Sequence, residues 1–167
     1  MKKLFVSAFV VCALLLGAPA FADGGSCVSK VEEALQAAKN HLGNQVALKK
    51  DAQRYFSEEL FLRPIALDLK RGRASAADRR NQIAYAQGLI ASIASKLAKY
   101  ADVEITWTNS GGTVLGVWTE MAKNKKVIRR VVITVVGGCQ VRDVNVGGTK
   151  ISSTIGDYRK LSKNGSR

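Results

Sequence analysis

The chain is poor in the residues that carry most enzyme chemistry. Its 167 residues include one histidine, two prolines and three cysteines, and aromatics make up 7%. The lone histidine, His41, sits among alanine, lysine and asparagine. It cannot complete a zinc site without cysteine or carboxylate partners at ligand spacing, and none is there. Glu32-Glu33 and Glu58-Glu59 are adjacent on helical segments, so the members of each pair point apart. The glycine-rich stretches lack phosphate-loop spacing and fit hairpin turns. Asp143 is the one acid inside a strand-like segment. It has two readings, a general base in a cavity, as in some cone-shaped α+β folds, or a structural partner for Arg142 or a turn amide. The weight falls against an enzyme, and no metal or cofactor is expected.

Negative charge is also scarce. Acidic residues number 13 against 26 basic ones, a formal net charge of +13. Such an excess attracts nucleic acid, anionic lipid headgroups, lipopolysaccharide or an acidic protein surface. The few aromatics are not interleaved with the basic residues, so no stacking platform for single strands is visible.

Long apolar runs are absent but for one. Lys2 and Lys3 precede an unbroken apolar stretch at residues 4–16, followed by Gly17-Ala18-Pro19 and Ala20-Phe21-Ala22. A membrane-spanning helix needs about 20 residues, so this short run with small residues after it reads as a secretory signal cleaved after Ala22. The expected mature chain is one domain over residues 23–167, exported to the periplasm, and export argues against nucleic acid as partner. Cys12 falls in the signal, which leaves Cys27 and Cys139. In an oxidising compartment an even pair invites a disulfide, and two buried free thiols are the alternative.

What is present divides into a helical half and a strand half, with a seam near Ala101-Asp102. Ser29-Lys30-Val31-Glu32 has the form of a capping box, and Val31, Ala34, Leu35, Ala38 and Leu42 follow at helical spacing. Gly43-Asn44 breaks that helix. A second is expected over 45–62, ended or kinked by Pro64. A short turn at 65–69 leads into the basic loop Lys70-Arg71-Gly72-Arg73. Ser75 opens a long helix over 76–100 whose stripe is Ile83, Ile90, Ile93, Leu97 and Tyr100.

From Val103 the period becomes two, giving strands over 103–108, 113–121, 126–136 and 139–146. The third is apolar on both faces near its end, as expected of a strand covered on each side. In the last, Cys139 and Val141 share one parity and Val144 and Val146 the other, and a bulge near Arg142-Asp143 accounts for the slip. A short helix is expected from about Ile155. The fold class is α+β, with N-terminal helices packed on a strongly curved antiparallel sheet of about four strands. The strand half carries more apolar side chain than one helix–sheet interface needs. A dense core is one consequence; a cavity under a curved sheet is the other.

Several of these segments resemble a known family. Tyr55-Phe56 through Pro64-Ile65-Ala66, then Arg73-Ala74-Ser75 and the helix ending in Tyr100, resemble the middle of the MlaC family. Its members are periplasmic phospholipid-binding subunits of an ABC-type retrograde lipid transport system. The run Val141-Arg142-Asp143-Val144-Asn145-Val146-Gly147-Gly148-Thr149 is similar to that family's Trp-Lys-Ile-x-Asp-Val strand and the glycine and serine after it, with Cys139 where the tryptophan is expected. Tyr158-Arg159 corresponds to the pair that follows.

The resemblance implies a carrier of phospholipid cargo that maintains outer-membrane lipid asymmetry. Its partners would be an inner-membrane ABC transporter complex, an outer-membrane lipoprotein and the anionic membrane surface. The implied lipid-binding residues are Ile83, Ile90 and Ile93 from the long helix, with Ile105, Trp107, Trp118, Val131, Ile133 and Val135 from the sheet. Docking would fall to Arg71, Arg73, Arg79, Arg80, Lys123, Lys125 and Lys126. Two other readings stay open: a lipid-free basic protein that binds an envelope partner, and a cone-fold enzyme using Asp143.

Overall fold

The computed structural model describes residues 24–160; the expected signal segment lies outside the described residues. Helices α1 (Gly24–Asn40), α2 (Gln45–Tyr55), α3 (Glu58–Leu62), α4 (Ala66–Lys70) and α5 (Ala76–Leu97) precede five strands. These are β1 (Thr106–Ser110), β2 (Thr113–Ala122), β3 (Lys125–Val136), β4 (Gln140–Val146) and β5 (Thr149–Lys150), with α6 (Ile151–Thr154) after them. Every neighbouring pair is antiparallel, in the order β1-β2-β3-β4-β5. The fold is α+β, helices against one open meander. The sheet has one short strand more than expected, and α6 is an unforeseen short helix ahead of the expected C-terminal one, whose described residues are 158–160.

The helical layer departs from the sequence pattern in two places. Helix α1 begins at Gly24, so Ser29 lies inside it rather than capping it. Its early start is fixed from outside: Cys27 is buried and joined by a disulfide to Cys139, with Cα atoms 5.0 Å apart. The expected helix over 45–62 is broken at Phe56 and Ser57, both extended. Phe56 forms a parallel bridge to Val141, and the Ser57 N–H donates to the Val141 carbonyl at 2.9 Å. Local propensity favours a continuous helix here, and pairing with β4 wins.

Helix α5 starts where the sequence places it. The Ser75 hydroxyl accepts from the Asp78 N–H at 3.1 Å, and the Asp78 carboxylate accepts from the Ser75 N–H at 2.7 Å, a reciprocal cap. Its one fully buried polar side chain, Gln82, is satisfied on both sides. The amide donates to the carbonyls of Phe61 and Gly156 at 3.1 Å each, and its oxygen accepts from the Tyr158 N–H. Gln82 thus ties α5 to α3 and to the end of the described chain, with no buried donor left unmet.

The same end is held by acids. Tyr158 donates its hydroxyl to Asp78, and Arg159 bridges Asp157 and Asp68. The Tyr158 hydroxyl and then the Ser75 hydroxyl and N–H hold the Asp78 carboxyl down at about 2, from an ordinary 3.8. A depressed acid contributes stability above its ordinary pKa and loses it as pH falls through the native value. Thermal stability is therefore expected to fall as pH drops from 4 toward 2, with a shallower slope in Asp78→Asn. Equal slopes in a melting series from pH 5 to 2 would count against this clamp.

In the sheet, Val114, Gly116 and Trp118 of β2 and Val131, Ile133 and Val135 of β3 face the helices. The register between β3 and β4 shifts between Thr134 and Val135, so that Asp143 and Val141 are paired on either side of an extra Arg142. This bulge returns Val141, Val144 and Val146 to one face. The opposite face of β3 is not covered as its apolar sequence suggested: Ile128 is 65% exposed and Val132 38%. Among the described residues no second layer of helices covers that part of the face. Strand β1 also starts later than expected, at Thr106, since pairing with β2 ends at Val117. Val103 and Ile105 pack from the connection before it.

Candidate functional site

Helix α1, helix α5 and the sheet do not close on each other completely. Between them lies a hollow of about 100 Å³ whose wall is almost wholly apolar. Helix α1 contributes Val31, Ala34, Leu35 and Ala38, and the α5 side contributes Ile90, Ile93, Ala94, Leu97 and Tyr100. The sheet supplies Trp107, Trp118, Val131, Ile133 and the β4 valines, and Phe56 enters through the helix break. The alanines matter: each keeps a helix backbone near the hollow without filling it.

Of the nine side chains expected to meet lipid, seven line this space: Ile90, Ile93, Ile105, Trp107, Trp118, Val131 and Ile133. Ile83 packs against the core a turn or more away, and Val135 is buried in the core without lining the hollow. The sequence reading missed the whole α1 wall, because an Ala-rich amphipathic helix reads as ordinary core. It missed Phe56, whose inward turn depends on pairing with β4. Val141, Val144 and Val146 were missed too, although the parity slip that aligns them was legible.

Trp107 owes its place to a glycine. Its cross-strand partner is Gly116, and a Cβ there would sit 2.5 Å from Trp107 Cζ3. The indole lies over the bare backbone of β2, an aromatic–glycine pairing that flattens the cavity wall. Gly116→Ala must displace the ring, and is expected to cost about 1–3 kcal/mol as overpacking does. Urea unfolding reads this as a lower midpoint. An unchanged midpoint would mean that Trp107 swings aside freely.

The basic residues expected to dock divide in two. Arg73 is bound by Asp68 through Nε and Nη2 at 3.1 and 2.8 Å, and Arg79 is bound by Glu58. Their charge is locally balanced. Arg71, Arg80, Lys123, Lys125 and Lys126 are exposed, and they make no ion pair among the described residues. The three lysines cluster at the β2–β3 turn, where Lys123 and Asn124 both adopt positive φ (49° and 62°), the backbone of a two-residue hairpin turn.

Asp143 is a structural group. Burial by itself raises its pKa, but the Ser152 hydroxyl at 2.6 Å, the Ser152 and Val144 N–H groups and nearby Arg63 outweigh burial and hold it ionised. Its lone pairs are spent on fixing α6 beneath β4, which is poor preparation for a general base. His41 pairs with Asp51 at 2.6 Å on the helical surface, away from the hollow's lining. Among the described residues no cluster could hold a metal ion, and no helix is long and apolar enough to cross a membrane.

No protein-family model matches this chain, and no curated protein matches it. Among solved structures it is similar to the phospholipid-binding protein from Ralstonia solanacearum, determined in complex with a phospholipid. The TM-score is 0.55 at 16% identity, over 86% of this chain and 90% of that one. At that identity the likeness establishes the fold: this chain shares its helix-on-sheet architecture with a phospholipid-binding protein.

Proposed function

We propose that this chain is a divergent MlaC-type carrier. It is exported to the periplasm as a soluble protein, binds a phospholipid by its tails, and shuttles it between membranes within an ABC-type lipid transport system. The observation that carries the reading is the apolar hollow between α1, α5 and the sheet, in a fold shared with a protein that holds a phospholipid. Each methylene kept from water is worth about 0.8 kcal/mol, so a free lipid with two long chains faces a prohibitive cost in crossing an aqueous gap. A carrier removes that cost without covalent chemistry. The unpaired cations Arg71, Arg80, Lys123, Lys125 and Lys126 would meet anionic headgroups or acidic partner surfaces, each worth about 1 kcal/mol near such a surface.

The hollow of about 100 Å³ takes only a short hydrocarbon segment, whereas ligand pockets span about 300–1,000 Å³. Loading therefore requires α1 and α5 to move away from the sheet, trading apolar contacts with each other for apolar contacts with the tails. Native mass spectrometry of protein purified from the periplasm tests the reading. A phospholipid-sized adduct is expected, matched by phospholipid in organic extracts. A clean apo mass with no lipid in the extract would overturn it.

A further inference from the structure

The apolar hollow has a charged mouth. A second depression of about 600 Å³ shares Tyr100, Trp118 and Val146 with it, and opens onto Glu120, Arg129 and Arg130. The mouth exists because β3 outruns its neighbour: pairing with β4 ends at Val131–Val146, and the residues of β3 before it have β2 alone. Trp118 stands where the dry and charged spaces join. It is 6% exposed, its ring tilted at 58° against Tyr100 with centroids 5.1 Å apart.

The Trp118 Nε1–H is buried and faces the Glu120 carboxylate without a well-formed hydrogen bond to it. Buried donors are nearly always well met, so one met only weakly at a cavity mouth needs an explanation. Arg129 chiefly, and the indole N–H in smaller part, hold Glu120 ionised, which places that N–H on the charged side. Yet Glu120 is engaged elsewhere, accepting from Arg129 Nε at 2.7 Å. A third cation stands close: Lys99 lies 4.9 Å over the Tyr100 ring and adds to the field that holds Glu120 ionised. Lys99 and Arg129 thus flank one carboxylate and one weakly held donor, with Arg130 on the rim of the same depression, at the edge of a space suited to hydrocarbon.

We propose that this mouth is the phosphate subsite for the lipid. With the tails in the apolar hollow, a phosphodiester oxygen accepts the Trp118 Nε1–H. Arg129 exchanges Glu120 for the phosphate, and Lys99 and Arg130 add charge. The inference rests on the carrier reading above and adds the end by which the lipid is held. It gives the site a preference for diacyl lipids that carry a phosphate over equally apolar ones that do not.

The test loads purified protein from vesicles containing phosphatidylglycerol and, in parallel, diacylglycerol with the same acyl chains, and counts bound lipid by native mass spectrometry. The phospholipid is expected to be favoured by about tenfold or more, as a charge-assisted hydrogen bond supplies. That ratio should collapse toward one in Arg129→Gln and in Trp118→Phe. A variant counts only where it still takes up diacylglycerol at the wild-type level, so that loss of fold or of the tail site is not read as loss of the phosphate contact. A ratio near one in the wild type, or unchanged in both variants, would overturn the subsite and leave the carrier standing. A wild type that takes up neither lipid would remove the carrier and the subsite together.

Discussion

Removing the Cys27–Cys139 bridge, as in Cys27→Ala/Cys139→Ala, is expected to cost about 3–5 kcal/mol of stability. The two cysteines are 112 residues apart. In the chain-entropy account a closed loop of that length restrains the unfolded state by nearly 5 kcal/mol. Against a typical total of about 5–15 kcal/mol this is a large share. The bridge also joins the first turns of α1 to the 3-10 turn before β4, and α1 and β4 both line the hollow. The midpoint of urea unfolding should therefore fall steeply, and the α1 amides should lose hydrogen-exchange protection ahead of the α5 amides. A loss under about 1 kcal/mol, with uniform exchange, would show that apolar packing alone secures α1.

The sheet was largely legible in the sequence because period-two alternation survives any tertiary context that buries one face. The bulge at Arg142 showed as a parity slip, and a slip of one residue has few structural meanings. The helix over 76–97 was legible through its Ser75 cap and apolar stripe. What could not be read was decided by distant partners. Nothing near Phe56 announces that its backbone will leave the helix to pair with Val141, 85 residues on. Likewise Ile128 and Val132 read as core, since composition shows that a strand is apolar and not whether a second layer exists to cover it. The hollow was legible only as an excess of apolar side chains. Its walls, especially the Ala34, Ala38 and Ala94 that keep it open, depend on how closely α1 approaches α5, and pattern does not encode that distance.

Those alanines permit an experiment that separates a cavity kept for cargo from imperfect packing. Ala34→Leu and Ala94→Leu place methyl groups into the hollow from opposite helices, at half-buried positions where the backbone is already helical. Empty apolar volume costs about 24 cal/mol per Å³, so filling about 100 Å³ could recover up to about 2 kcal/mol. The double variant is expected to be at least as stable as the wild type, and more so by about 1–2 kcal/mol if the leucines fit without strain. Lipid occupancy after purification should fall to less than a tenth, because tails and leucines compete for one space. The two results have opposite sign, as expected where function holds a protein away from its stability optimum. A more stable variant that still carries its full complement of lipid would place the tails elsewhere, and the exposed face of β3 around Ile128 and Val132 would be the next surface to test.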